Sequence, residues 1–235
     1  AADLCSVAPC KNGGSCSVNP SDTSLFTCSC LSPYTGQTCD QIDSQAVNQF
    51  NCTFEDDNCI FKNVDTDNFD WTKRSGSTPS GSTGPSSAYE GGSYTYIETS
   101  SPRVDQDEAV LSTVASSLSD NTDYCLKFYY HMYGSDVESL SVSSGPRTGS
   151  QTELWSLNGD QGNQWTPTYV TISGASDPVI TITGTRGSSY RGDIAIDDLK
   201  LSKGACPAAD LCSVAPCKNG GSCSVDAADN SITCS

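Results

Sequence analysis

The sequence predicts a mainly β protein in which a small disulfide-rich module precedes a larger antiparallel β-sandwich, and a partial second copy of the small module follows. Three observations support this prediction. The 235 residues include 14 cysteines, an even number, but one histidine and one methionine. Short runs such as LSVSS, YVTIS and VITITGT alternate apolar and polar residues, as half-buried strands do. The stretch AADLCSVAPCKNGGSCSV occurs twice, at residues 1–18 and 208–225.

The duplicated stretch indicates a repeating architecture. Its two copies match at every position, and their offset, 208 minus 1, gives a period of 207 residues. Because internal periodicity is the usual sign of tandem repeats, we interpret the chain as a window from a longer array. The copies diverge beyond residue 225, however. Two units that merely share one module type would therefore explain the match as well.

Cysteine content and charge argue against several classes of protein. A high, even cysteine count favours oxidised, secreted chains, and no C-x-x-C knuckle of a zinc site occurs. The net charge of −16 disfavours nucleic acid and anionic membranes as partners, because both would repel the chain. No apolar run reaches the roughly 18 residues of a membrane span. We therefore predict an extracellular protein, secreted or surface-displayed, with no nucleic-acid partner and no membrane insertion of this segment.

The first module, residues 1–41, depends on cross-links rather than on a core. Six cysteines lie between positions 5 and 39, and so short a segment buries too little apolar surface to be stable alone. Six cysteines allow many pairings, which counting alone leaves open. Their spacing, together with CKNGGSC and the closing CLSPYTGQTC, resembles the EGF-like domain. That resemblance implies disulfides Cys5–Cys16, Cys10–Cys28 and Cys30–Cys39.

The same resemblance implies modification sites. CKNGGSC matches the O-fucose pattern of the family at Ser15, and Ser222 repeats it in the second copy. Thr35, in PYTGQTC, resembles an O-GlcNAc acceptor, although proline stands where the family usually has glycine. Independently of the family, Asn51 is the acceptor of an N-glycan sequon, Asn-Cys-Thr.

A short linker, residues 42–48, leads to the larger module, residues 49–206. Its strand-like runs are separated by Gly, Pro, Asn and Ser, and no stretch shows convincing helical periodicity. Strands with one apolar face must bury that face against another layer. Two packed antiparallel sheets are therefore the predicted architecture.

Four landmarks occur in order along this module: FNCTFEDDNC, TDNFDW, YCLKFYYHMYG and RGDIAIDDLKL. Together they resemble the MAM domain, a β-jelly-roll of extracellular adhesion receptors, meprin-type proteases and matrix proteins. This resemblance implies a non-catalytic module with disulfides Cys52–Cys59 and Cys125–Cys206. Residues 207–235 would then begin another EGF-like domain, in which the family pattern implies the pairs Cys212–Cys223 and Cys217–Cys234.

Acidic residues cluster in three segments of the larger module, where such sandwiches often hold a structural calcium. Calcium takes six to eight oxygen ligands, which carboxylates from distant segments supply. The alternation of Ile194 and Ile196 continues to Asp198, so a carboxylate is expected to point inward there and to need a partner. The acidic residues of segment 65–70 would equally suit a solvated loop. For one calcium ion the predicted ligands are Glu55, Asp57, Asp65, Asp67 and Asp198.

Two conspicuous motifs are interpreted as structural. Arg191-Gly192-Asp193 spells an integrin-binding tripeptide, but its last two residues belong to the GDIAIDD strand signature, and a strand entry rarely projects as a loop. His131, the only histidine, lies among aromatic residues in FYYHMYG, which favours a packed strand residue over a catalyst. No pair of acidic residues stands out as a glycosidase pair. We predict no enzyme activity and no organic cofactor.

The repeat and the disulfide density favour a structural function. We predict a tandem-repeat unit that assembles with copies of itself, through protein–protein contacts, into an extracellular fibre, sheath or adhesive matrix. The alternative is the ectodomain of a cell-adhesion receptor, or a secreted ligand module, that binds a cell-surface protein or glycan. An acidic protein that binds calcium mineral would need long Asp or Ser-Asp blocks, which the sequence lacks.

Overall fold

The computed structural model describes residues 5, 9–11, 14–18, 25–30, 34–42, 50–115, 117–207, 212, 223–225 and 232–234. The chain divides into two units, Ala1–Phe50 and Asn51–Ser235. Residues 43–48 of the predicted linker are not among these residues, so that prediction lies outside the part of the chain that the structure describes.

The first unit is a pair of small hairpins held by disulfides. Strands β1 (Ser15–Val18) and β2 (Phe26–Ser29) pair antiparallel, as do β3 (Tyr34–Thr35) and β4 (Gln41–Ile42). Cys39 is the one fully buried apolar residue among the described residues of this unit. Cross-links therefore replace a core, and they are Cys5–Cys16, Cys10–Cys28 and Cys30–Cys39, the pairs that the EGF-like pattern implies.

The second unit contains two antiparallel sheets, as the predicted β-sandwich requires. One sheet has the order β13-β10-β15-β8-β7, with β5 paired to β15, and the other has the order β12-β11-β14-β9-β6. The predicted fold class is confirmed. The strands are β5 (Asn51–Cys52), β6 (Phe61–Asn63), β7 (Thr72–Arg74), β8 (Tyr94–Ile97), β9 (Glu108–Thr113), β10 (Tyr124–Met132), β11 (Val137–Pro146), β12 (Thr152–Asn158), β13 (Thr166–Ile172), β14 (Pro178–Arg186) and β15 (Ile194–Lys203).

Aromatic side chains join the two sheets across the core. Trp71, which precedes β7, donates its indole N–H to the carbonyl oxygen of Ala109 in β9 at 2.9 Å. Phe128 in β10 meets Trp155 in β12 edge to face, with ring centroids 5.6 Å apart. Because a buried indole N–H needs an acceptor, the bond from Trp71 fixes one sheet relative to the other as well as filling space.

A β-bulge interrupts the pairing of β15 with β10. Lys127 pairs with Lys200 and Tyr129 pairs with Asp197, so β15 has one more residue than β10 between these pairs. Asp198 lies in this bulge with a φ of 50°, in the left-handed region. The bulge shifts the alternation, so that Leu199 and Leu201, rather than Asp198 and Lys200, continue the inward face of Ile194 and Ile196. The expectation that Asp198 continues this alternation is therefore wrong.

The segment between β7 and β8, residues 75–93, covers part of the outer face of the six-stranded sheet. Under it, Tyr94, Tyr96 and Ala195 are buried, with Ala88 and Trp165 packed against them. The indole N–H of Trp165 donates to the carbonyl of Ser87 at 3.0 Å. This cover buries the sheet on both faces there, while Lys127 and Tyr129 of β10 and Tyr169 of β13 keep partly exposed side chains.

Beyond residue 207 the structure describes one short hairpin. Strands β16 (Cys223–Val225) and β17 (Ile232–Cys234) pair antiparallel, and Cys212 is bonded to Cys223. The other predicted pair of this module falls on Cys217, outside the described residues. Within the described ranges, no helix is long and apolar enough to cross a bilayer.

Candidate functional site

The five predicted calcium ligands do not meet at one point. Among the described residues, no three His, Cys, Asp or Glu side chains are arranged as a metal-binding group. Asp57 and Asp65 are exposed. The carbonyl oxygen of Asp57 accepts the ammonium of Lys62 at 2.7 Å, so this residue is held through its backbone rather than through its carboxylate.

The other three predicted ligands have separate local partners. Glu55 accepts two backbone N–H groups, those of Gly92 and Ser93, each at 2.7 Å, and these bonds lower the pKa of its carboxyl. Asp67 accepts the N–H of Val110 at 2.7 Å, while burial raises its pKa.

Asp198 forms an ion pair with Lys200 at 2.9 Å and keeps one buried oxygen, Oδ1, without a hydrogen-bond partner. A single free oxygen is far from the six to eight that calcium takes. The proposed set of five ligands therefore does not fit this arrangement, and a structural calcium stays a prediction.

Asp197, which lies in the third acidic segment but is not one of the five predicted ligands, holds the covering segment to the sheet. It is fully buried, and its Oδ2 accepts the backbone N–H groups of Tyr89 at 2.9 Å and Glu90 at 3.3 Å. Its Oδ1 accepts the N–H of Asp198 at 2.7 Å. Burial raises its pKa to about 6, although these hydrogen bonds act in the opposite direction. The sequence signal for this position was its spacing from Ala195. Residues two apart on a strand lie on the same face, so Asp197 shares the outward face of Ala195.

The Arg191-Gly192-Asp193 tripeptide is built into the fold. Asp193 is fully buried, and its Oδ1 accepts both the N–H and the hydroxyl of Thr99, at 3.1 and 3.0 Å. Its own N–H donates to the hydroxyl of Thr83 at 2.8 Å. An integrin ligand needs an accessible carboxylate, so the structural interpretation of this motif agrees with the geometry.

His131 lies on β10 under the covering segment. It is 2% exposed, its Nε2 is 3.0 Å from the Oδ1 of Asn163, and its ring meets that of Trp165 with centroids 5.5 Å apart. Burial lowers the pKa of the imidazole. These contacts are those of a packed strand residue, as the aromatic surroundings in the sequence indicated.

The predicted modification sites differ in accessibility. Ser15 in β1 and Thr35 in β3 are exposed, while Asn51 in β5 is partly buried and pairs with Lys200 across the sheet edge. Ser222 lies outside the described residues. Glycosylation at each of these positions stays a prediction.

A row of four side chains lies on the outer face of the six-stranded sheet, and the covering segment contributes one of them, Tyr89. The ring of Tyr89, 42% exposed, stacks on that of Tyr129 with centroids 3.4 Å apart and planes 14° apart. The ammonium of Lys127 lies 5.2 Å from the ring centroid of Tyr129 and 5.5 Å from that of Tyr169. We call Tyr89, Tyr129, Lys127 and Tyr169 the tyrosine–lysine row.

Comparison with known families identifies both modules of the chain. Residues 52–207 match the family model of the MAM domain (meprin/A5/mu), and residues 5–38 match that of the EGF-like domain. The chain belongs to the MAM family. Its MAM domain follows an EGF-like domain, which is the order that the sequence predicted, and both domains indicate an extracellular or surface-displayed location.

Curated relatives share the MAM portion at moderate identity. The chain is 38% identical over 182 residues to "MAM domain-containing glycosylphosphatidylinositol anchor protein 2" of Homo sapiens, covering 70% of this chain and 19% of that protein. It is 41% identical over 176 residues to anchor protein 1 of the same series in Homo sapiens, covering 71% and 18%. The chain thus spans about a fifth of the length of these relatives.

Among solved structures, the K1 cleaved adhesin domain of Lys-gingipain from Porphyromonas gingivalis W83 is 17% identical with a TM-score of 0.43. The similarity covers 62% of this chain and 91% of that one. At this level it carries no functional argument.

Proposed function

We propose that this chain is a non-catalytic adhesion module that binds a partner on a cell surface through its MAM domain. The observation that carries the proposal is the pairing of an EGF-like domain with a MAM domain. The chain is also 38–41% identical, over its MAM portion, to proteins that are named as glycosylphosphatidylinositol anchor proteins. The tyrosine–lysine row on the outer sheet face, in which Tyr89 is exposed and the other three side chains are partly buried, offers a surface for such contacts. Adhesion to a cell-surface protein or glycan, the alternative in the sequence analysis, has more support than fibre assembly.

Beads coated with the 235-residue chain test this proposal. We expect them to attach to cells, and we expect chain reduced with dithiothreitol to lose that attachment, because the disulfides hold both units. Beads that clump in the absence of cells would identify a second copy of the chain as the partner. Beads that neither attach to any of several cell types nor clump would refute the proposal.

Assembly into a fibre is a second candidate, favoured by the duplicated eighteen residues with their 207-residue offset, 208 minus 1. In this proposal copies of the chain are the partners, and a structural calcium stiffens each unit. Electron microscopy of the native extracellular material tests both parts. A regular axial repeat supports a polymer, and its loss on chelation supports the calcium; isolated strings without order would leave adhesion alone as the function.

A further inference from the structure

We propose that the tyrosine–lysine row binds a glycan through a sugar that carries a carboxylate. The inference rests on the proposed adhesive function and names the chemistry of its partner. Lys127 and Tyr129 lie in the landmark YCLKFYYHMYG, but their place beside Tyr89 and Tyr169 follows only from the fold.

The row presents flat rings and one cation side by side. Tyr89 and Tyr169 lie at its two ends, and Lys127 is the direct cross-strand neighbour of Tyr169. The C–H face of a pyranose packs flat against an aromatic ring, whose negative face attracts it. A carboxylate on the same sugar would then meet the ammonium beside the ring in a charge-assisted hydrogen bond.

Lys127 is suited to that contact because its charge is not neutralised by a neighbour. Among the described residues no carboxylate lies within 4.0 Å of its ammonium, although the chain carries 28 acidic residues. The nearby Asp198 is paired with Lys200, and Asp197 is buried and bonded to backbone N–H groups. An acidic group of a ligand is therefore the natural partner of Lys127.

The row is held in place before any ligand arrives. The backbone of Tyr89 is fixed to the sheet by Asp197, and Tyr169 packs against the disulfide Cys125–Cys206. Tyr129 and Lys127 stand on the central strand β10. A rigid surface loses little conformational entropy on binding, which favours weak ligands such as single sugars.

Two other occupants fit the row less well. A highly sulfated or nucleic-acid chain needs a basic patch that neutralises many of its charges, whereas the row holds one cation, Lys127. A stable protein interface buries about 800 Å² on each partner, whereas the row consists of three rings and one ammonium.

Titration of the isotope-labelled 235-residue chain by NMR tests the proposal. The probes are sialyllactose, a hyaluronan tetrasaccharide and lactose, which separate a sialic acid, a hexuronic acid and a neutral sugar. We expect one of the two acidic probes to shift the amide signals of Lys127 and Tyr169, and lactose to bind about tenfold more weakly or not at all, as the loss of one charge-assisted bond implies.

Variants assign the binding to the row. Lys127→Met should weaken the acidic probe about tenfold, and Lys127→Arg should retain it. Tyr89→Ala should weaken all sugars, because it removes a stacking face. The matched control is Tyr190→Ala, since Tyr190 is 44% exposed and also lies beside a cation, Arg191, at 5.4 Å, away from the row.

The proposal is overturned if lactose binds as tightly as the acidic probes, if Lys127→Met binds as the parent chain does, or if no probe binds at millimolar concentration. The bead assay separates the two proposals. If beads carrying Lys127→Met still attach to cells, the proposed glycan ligand is refuted and the adhesive function stands. If beads carrying the parent chain do not attach, the adhesive function itself is refuted.

Discussion

Buried carboxylates stand out at the scale of single residues. Asp193 and Asp197 are both 0% exposed, and burial raises the pKa of each to about 6. Asp193, directly before β15, accepts hydrogen bonds from Thr99, and Asp197, within β15, accepts those of the covering segment. Their oxygens accept hydrogen bonds from backbone N–H groups, which gives each of these two buried carboxylates a structural role.

The pKa of Asp193 has a defined effect on stability. The group titrates near 3.8 when unfolded and near 6 when folded, so the folded state binds the proton more tightly. Its contribution to the free energy of unfolding therefore rises as the pH falls from above 6 towards 4. We expect Asp193→Asn, whose amide oxygen can still accept from Thr99, to stabilise the chain at neutral pH by about 1–3 kcal/mol and to flatten this dependence.

Urea unfolding at neutral pH and at pH near 5 measures this effect. Asp105→Asn is the control, because Asp105 is exposed, and it should change neither value. If the stability of the parent chain and that of Asp193→Asn depend on pH in the same way, Asp193 is not the group that causes the dependence.

At the scale of elements, the bulge in β15 determines which residues line the core. Asp198 occupies the left-handed region there, which Asn and Asp tolerate better than other residues with a Cβ. One extra residue moves Leu199 and Leu201 inward and leaves Lys200 outside. The bulge thus accommodates two adjacent buried acidic residues, Asp197 and Asp198, in β15.

Substitutions at Asp198 test the importance of this backbone conformation. Both Asp198→Asn and Asp198→Val lose the ion pair with Lys200, but only valine opposes the left-handed conformation. We expect the valine variant to be less stable than the asparagine variant by about 1–3 kcal/mol in thermal unfolding. Equal melting temperatures would show that the bulge does not depend on this residue.

Close approach of the two sheets predicts the effect of another substitution. A Cβ at Gly184 in β14 would lie 2.9 Å from Cζ2 of Trp71 and 3.2 Å from Cδ1 of Ile97. Because the indole is tied to Ala109, it has little room to move, and we expect Gly184→Ala to cost about 1–3 kcal/mol. Gly81, whose Cβ would meet nothing within 4 Å, is the control. Chemical denaturation that finds both variants equally stable would refute this packing.

For the whole molecule, disulfides replace the core in the first small module, as far as its described residues show, and reinforce it in the MAM domain. All the cysteines in the described residues are paired. Cys125–Cys206 closes a separation of 81 residues, and Cys52–Cys59 one of 7. In the chain-entropy account the longer loop restricts the unfolded chain more.

Removal of each MAM disulfide measures this difference. We expect the double variant Cys125→Ala with Cys206→Ala to lose about 2–5 kcal/mol of stability, and Cys52→Ala with Cys59→Ala to lose less. Urea unfolding of both variants gives the comparison. A larger loss from the short loop would show that local packing, rather than chain entropy, decides the contribution of these bonds.

The order of modules, their mainly β structure and the extracellular location followed from local patterns in the sequence. Cysteine spacing, period-two alternation and four landmark motifs each span a few residues, so they can be interpreted without knowing how distant segments meet. The burial of His131 and of Asp193 in the Arg-Gly-Asp tripeptide agrees with the structural interpretation of both motifs, which rested on their immediate neighbours in the sequence.

The candidate binding face was not predictable in this way. Tyr89 and Tyr129 are 40 positions apart, 129 minus 89, and their stacking depends on how the covering segment folds across the sheet. The sequence selected Asp198 as the inward carboxylate, since alternation assumes an unbroken strand, whereas a bulge places it elsewhere and gives the fastening role to Asp197. Local alternation determined the strands of this protein, and tertiary packing alone decided which of their side chains share a surface.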